Sequence, residues 1–327
     1  MLAKVLRRLE RYIGADSIRW ANIPDGLYSF NFHRIGDWQA TRFDPCVFSC
    51  NSKQLDEFIV FFKQEFDIIS IAEAVQLVKK NTDKIHGKYL VITFDDGYKD
   101  NYTEAFPILK AHNVPACFFI ATSLIGDKKL PWWDRIAYNY KKNKFKALKL
   151  SSWSDTVKYN GDEREFIRGM LAAAKLSNSP IEEQLNELET LFPIGGELPT
   201  QEFMSWQDLS EMIKHGMDVG AHSHNHEILA NLTQEDIIFE LTHSKMLIEK
   251  HLPYKVSSFS YPVGSQGTYN EQVTNALVNC GYDIAFNFQP GINVNIAANK
   301  YDLRRFSIEP STTISTLKNT LGYAKIY

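Results

Sequence analysis

Seven short runs of β-branched, aromatic and aliphatic residues recur along the chain, and stretches of helical periodicity lie between them. Strands alternating with helices leave few folds open: one parallel sheet, or that sheet curled into a (β/α) barrel. The runs are Leu27–His33, Lys88–Phe94, Ala116–Ala121, Asp218–Ala221, Val256–Tyr261, Asp283–Asn287 and Leu303–Ile308. Helical spacing of apolar residues marks Lys53–Glu65, Asn101–His112, Trp206–His215, Thr233–His251 and Thr268–Asn279. Thr233 stands before Glu235 and Asp236 as an N-cap with negative charge in the first turn. The chain is therefore read as α/β, a distorted (β/α) barrel of about seven parallel strands.

The 327 residues suit one large domain of this kind. Within it, 127–200 breaks the rhythm, opening with PWWDRIAYNYKKNKFK and continuing through Asp162–Ala174 and Pro180–Leu191. It is expected to be a helical insertion in a barrel domain spanning 27–327. Trp132, Trp133 and Asp134 are its most site-like residues, because sugar rings stack on indole faces and hydrogen-bond to carboxylates.

Residues 1–26 read as an N-terminal amphipathic helix and linker. Leu2, Val5, Leu6, Leu9, Tyr12 and Ile13 share one face, with Lys4, Arg7, Arg8 and Arg11 on the other. A basic residue interrupts every apolar run there, so the expectation is a cytoplasmic protein with no secretory signal. Such a helix docks on its own domain or touches an acidic membrane surface through 1–13. With 36 basic against 39 acidic residues the chain lacks the broad positive field that nucleic-acid binding needs. Its four cysteines have no metal-knuckle spacing.

Two segments carry chemistry. LVITFDDGYKD is an apolar strand ending in Asp95 and Asp96. Strand side chains alternate, so both carboxylates can serve one site only if the chain turns, which Gly97 permits. Close like charges raise one pKa or recruit a cation. The second segment, DVGAHSHNHEILANLT, places His222, His224 and His226 just after a short strand. Imidazole is a common neutral ligand for borderline cations, and an extended-to-turn path brings the first and last rings to one centre. Two histidines and one carboxylate leave positions open for water and substrate, the layout of a catalytic site.

Thr93–Gly97 and His222–His226 together resemble the first two motifs of the polysaccharide deacetylases of the NodB-homology group, carbohydrate esterase family four. NYTEAFPILKAHNVPACFFIAT, MSWQDLSEMIKHGMDVGAHS and FSYPVGSQGTYN at Phe259–Asn270 are similar to it as well, so the likeness runs from Leu27 to about Ile308. The resemblance implies a catalytic base at Asp95 and one divalent ion held by Asp96, His222 and His226. Zinc is the first choice for that donor set, with cobalt, nickel or manganese also accepted. It implies removal of an acetyl group from an N-acetylated sugar in a lipid-linked or polymeric carbohydrate. The ion and an N–H near Val263 would polarise the carbonyl. A hydrolase of another small amide or imide and a catalytically weakened carbohydrate-binding module are the alternatives.

The third motif departs from the family. Where related proteins place an arginine two residues before the motif proline, this chain has Ser260, ahead of Pro262. A hydroxyl cannot supply a guanidinium's charge or fork geometry. Arg305, or its neighbour Arg304, is the candidate to reach Asp95 from the last expected strand. The family's late histidine, its usual general acid, has no counterpart after His251, which leaves His33 as the most site-like spare histidine.

Overall fold

The computed structural model describes residues 19–80, 85–126, 130–200 and 203–327. The expected N-terminal helix over 1–13 lies outside them. Among the described residues no helix is long and apolar enough to cross a membrane.

Seven parallel strands form the sheet: β1 Gly26–Phe32, β2 Lys88–Asp96, β3 Cys117–Ile120, β4 Asp218–Ala221, β5 Ser258–Ser260, β6 Ile284–Phe286 and β7 Phe306–Ser307. Their order is β6-β5-β4-β3-β2-β1-β7, and a two-residue strand, Asp67–Ile68, also pairs with β2. The sheet curls until its edges meet. Phe306 pairs with Phe30 of β1, while Leu303, three residues earlier, bridges to Phe286 of β6. The short segment 303–307 is therefore the seam of a distorted barrel.

Both faces of β1, β3, β4, β5 and β6 and of most of β2 are buried, which is why they read as near-continuous apolar runs. Strand alternation sorts them. Tyr28, Phe30 and Phe32 of β1, Leu90, Ile92 and Phe94 of β2, and Phe118 and Ile120 of β3 join the large core under the helices. The intervening residues Leu27, Val91, Phe119, Ile284, Phe286 and Leu303 form a separate cluster inside the barrel. Farther along the same inward rows stand Asn31 on β1 and Thr93 and Asp95 on β2, so the apolar interior gives way to polar groups at the strands' C-terminal ends.

Helices cover the outside. Helix α1, Ser52–Glu65, starts from Asn51, whose side chain accepts the Gln54 N–H while the Gln54 side chain returns to the Asn51 N–H. It buries Leu55, Phe58, Ile59 and Phe62, and Phe62 stacks on Phe30 with 4.6 Å between ring centroids. Helix α2, Ile71–Lys79, is not among the segments expected from sequence. The expected helix Asn101–His112 splits into a wide first turn, Asn101–Ala105, and α3, Phe106–His112, which admits Pro107 near its start. That wide turn aims Asn101 Nδ2 at the carbonyl of His33, 2.7 Å away.

Residues 37–48 and 127–202 gather into a compact unit of their own. It contains α4 Trp132–Asn143, α5 Glu163–Leu176 and α6 Ile181–Leu191, with Phe145, Trp153, Phe166, Met170 and Leu188 in its core. Trp133 and Asp134 do not face solvent as expected of sugar-binding residues. Trp133 is packed in this core, and Asp134 is buried and accepts the N–H of Asp44 at 2.9 Å. Where the barrel chain departs and returns, Gly126 N–H donates to Met204 O and Met204 N–H to Gly97 O, both at 2.9 Å. Helices α7 Trp206–Lys214, α8 Gln234–His251, α9 Glu271–Asn279 and α10 Ile314–Gly322 complete the outer layer.

Gly220 on β4 stands where neighbouring side chains approach the backbone closely. A Cβ there would overlap the ring of Phe119 and come within 2.9 Å of Ser258 Oγ. Gly220→Ala is expected to destabilise the fold by about 1–3 kcal/mol through overpacking, read as a lower midpoint in chemical denaturation.

Candidate active site

Asp95 and Asp96 end β2, paired with Phe119 and Ile120 of β3. Asp95 keeps the inward parity of Thr93. Asp96 has the outward parity and would point under the helices, but its backbone is left-handed, with φ 74°. The turn thus begins at Asp96 itself, one residue before the Gly97 expected to make it. Gly97 continues the turn at φ 89°, where a Cβ would lie 2.8 Å from Ile125 Cδ1. Six non-glycine residues have a left-handed backbone among those described, and four of them, Asp96, Ser223, His226 and Val263, lie in the turns that follow β2, β4 and β5. Strain of this kind gathers where side chains must converge.

His222 follows β4 directly, its N–H bonded to Ile120 O at 2.9 Å. His226 is brought round by a turn in which its N–H donates to Ser223 Oγ at 3.0 Å. The Nε2 atoms of His222 and His226 stand 3.5 and 3.3 Å from Asp96 Oδ1. His222 Nδ1 lies 2.7 Å from the Ser260 carbonyl and donates its proton there, so that in the neutral ring Nε2 presents a lone pair beside Asp96.

The trio fits a metal ion. Ligand bonds of about 2.0–2.2 Å at tetrahedral angles separate donor atoms by roughly 3.3–3.6 Å. Asp96 Oδ1 is buried and receives no hydrogen bond, a costly position for a carboxylate oxygen unless a cation or another donor meets it. These three residues alone, among those described, form such a cluster.

Arg305 takes the place that Ser260 cannot fill. The seam carries it inward with the parity of Leu303, and its guanidinium grips Asp95 at both oxygens, Nη1 to Oδ1 at 2.9 Å and Nη2 to Oδ2 at 2.8 Å. Arg305 is 1% exposed, and every N–H has an acceptor. Nε donates to Asn287 O, Nη1 also to Asn31 Oδ1 and Thr93 Oγ1, and Nη2 also to Ser260 Oγ. Ser260 is thus kept as an acceptor for the arginine rather than as its replacement. Arg304, the other candidate, has outward parity and binds Gln289 Oε1 and the face of Tyr327.

Burial would push the Asp95 carboxyl up, but the charge of Arg305, then that of His222, outweighs it and holds the group below the usual carboxylate range. Burial likewise acts to raise Asp96, and the two imidazoles beside it hold it well below. His33 adds its charge to both. His33 follows β1 directly, one residue past the Phe32–Phe94 pair, and its ring meets Phe288 edge-on at 5.6 Å. Its N–H donates to Ser49 Oγ. Val263 lies in the left-handed turn after β5, where Gly264 N–H donates to Pro262 O. His224 is not a ligand in this trio; its Nδ1 is 2.9 Å from Thr122 Oγ1. Asn31, Thr93 and Asn287 were not foreseen as site residues, although inward parity marks the first two.

A barrel with an acid pair and two histidines at its strand ends defines a class of hydrolase, and the sequence comparisons make it specific. The pattern described as polysaccharide deacetylase matches residues 82–150 and 182–285, and the chain belongs to that family. YxkH of Bacillus subtilis strain 168, whose name marks it as a candidate polysaccharide deacetylase, is 22% identical over 287 residues, 88% of this chain and 73% of its own length. The poly-beta-1,6-N-acetyl-D-glucosamine N-deacetylase of Escherichia coli K12 is 28% identical over 116 residues, 34% of this chain and 17% of that protein. In fold, the Streptococcus pyogenes deacetylase PplD, solved with acetate, is similar with a TM-score of 0.61 at 18% identity, over 91% of this chain and 99% of its own. IcaB from Ammonifex degensii gives 0.58 at 17%, over 92% and 98%.

Removing one member of a buried ion pair strands the other. Arg305→Met is expected to cost about 3–5 kcal/mol in chemical denaturation, and adding Asp95→Asn should recover much of it. The Asp95 pKa is depressed on folding, so its contribution is full above the unfolded value of about 3.9 and is lost as pH falls through the lower folded value. Asp95→Asn should therefore flatten the acid side of the stability profile.

Proposed function

We propose that the protein is a metal-dependent N-deacetylase acting on an N-acetylated sugar within a lipid-linked or polymeric carbohydrate. The observation that carries this reading is the ionised Asp95, locked by Arg305, beside the Asp96–His222–His226 trio. When bound, a divalent ion, zinc by donor set, supplies Lewis-acid polarisation of the acetyl carbonyl and makes a water easier to deprotonate.

The residues of the chain divide the remaining work. Asp95 Oδ2 already accepts from Arg305 Nη2 and Asn31, with Ser260 Oγ 3.4 Å away, whereas Oδ1 accepts from Arg305 Nη1 alone. A carboxylate oxygen has two lone-pair directions, so Oδ1 retains one, and it is the atom that takes the water's proton. Ser260 O fixes the His222 tautomer. The Val263 N–H is assigned to the carbonyl oxygen as charge develops there. His33, partly exposed just past β1 and close enough to act electrostatically on Asp95 and Asp96, is assigned the proton that the departing amine requires.

Acetate release from N-acetylated mono- and oligosaccharides, with and without chelator, tests the reading. Asp95→Asn is expected to lower turnover by about 10²–10⁴-fold while metal content is retained. His222→Ala and His226→Ala should lose metal and turnover together. Wild-type turnover by Asp95→Asn would end the assignment.

A further inference from the structure

His224 stands between the two histidines of the trio but sends its ring to helix α8. There it meets His243 edge-on at 4.5 Å and 81°, and Phe239 at 5.7 Å and 85°. Phe239 and His243, one helical turn apart, stack on each other at 4.9 Å and 15°. Phe239 is 46% exposed, and Ile238 beside it 43%. Stacked rings open to water present a flat apolar face that a ligand with a matching face can cover.

The rings are held firmly to the site. Glu240, next to Phe239 and itself buried, accepts the N–H groups of His224 and Asn225 at 2.7 and 2.8 Å and the Asn225 amide at 2.7 Å. Helix and ligand loop thus share three hydrogen bonds to one carboxylate. His224 is two residues from both His222 and His226, so their Cα atoms are at most about 7 Å apart.

We propose that Phe239 and His243 form a stacking platform for a pyranose ring of the substrate other than the one being deacetylated. The proposal rests on the deacetylase reading above. Size and surroundings select this occupant. Exposed Glu235, Asp236 and Thr242 lie one turn from Phe239 along the helix. The exposed apolar residues of this helix, Ile238, Phe239 and Met246, are thus interrupted by polar ones, which suits a small amphipathic ligand better than an extended apolar partner face. The two carboxylates also oppose an anionic lipid surface. A pyranose offers what the platform matches: an apolar C–H face for the rings, and hydroxyls for the neighbouring carboxylates, hydroxyl and imidazole nitrogens.

The test compares N-acetylglucosamine with its longer oligomers as substrates. Wild-type protein should show a lower KM on the oligomers. Phe239→Ala should raise that KM roughly three- to tenfold, leaving kcat and the monomer's KM unchanged, and Phe239→Trp should restore it. An unchanged oligomer KM overturns the platform, as does an equal loss on the monomer. A shift in oligomeric state of Phe239→Ala by light scattering also overturns it, assigning the face to a second copy of the chain. If wild-type protein releases acetate from no N-acetylated sugar, the deacetylase reading fails by itself. The platform is then read from Phe239→Trp fluorescence titrated with glucosamine oligomers, where a saturable change supports it and a flat response removes it.

Discussion

The contact on which the site depends is the two-pronged grip of Arg305 on Asp95. Burying a guanidinium and a carboxylate together is expensive, and the cost is offset only where geometry is good and every remaining donor is met. Here the acceptors come from four places: Asn31 on β1, Thr93 on β2, Ser260 on β5 and the Asn287 carbonyl after β6. The pair therefore reads the registration of almost the whole barrel. A slip of one residue in any of these strands would turn its polar partner outward and leave a buried donor unmet.

The same pair bears on the departure from the third motif that the sequence resemblance leads one to expect. The proposed base needs a fixed positive neighbour, and the strand that supplies it is free to vary. With Ser260 on β5 too short and uncharged, the seam strand brings the guanidinium from the other side of the barrel, and the serine hydroxyl becomes one of its acceptors. The oxygens of Asp95 are thereby made unequal, Oδ2 crowded and Oδ1 left with room.

Local features of the site are legible in the sequence and distributed ones are not. Asp95, Asp96, His222 and His226 occupy two short windows whose residue types suffice to suggest a cation and a base. The choice between Arg304 and Arg305 needs strand parity, which Leu303 supplies once it is known to face inward. Asn31, Thr93 and Ser260 are ordinary polar residues until the register of several strands sets them around one guanidinium. Trp133 and Asp134 mislead for the opposite reason: an indole and a carboxylate suit a sugar, but here a helical unit buries both in its own core. Helix α2 carries a legible signal, Ile71, Ala74, Val75 and Val78 at helical spacing behind a Ser70–Glu73 capping box, but confines it to nine residues.

The seam that carries Arg305 has a consequence for the order in which the protein becomes competent. By the time the ribosome has added His226, every candidate metal ligand and the proposed base are already in the chain. Without the guanidinium, burial would favour the neutral acid at Asp95. Seventy-nine further residues must be joined, from Glu227 to Arg305, before the last strand can slot between β1 and β6. Closing the barrel and fixing the Asp95 carboxylate in place are thus a single event, and a nascent chain cannot hold this pair before its last strand is seated.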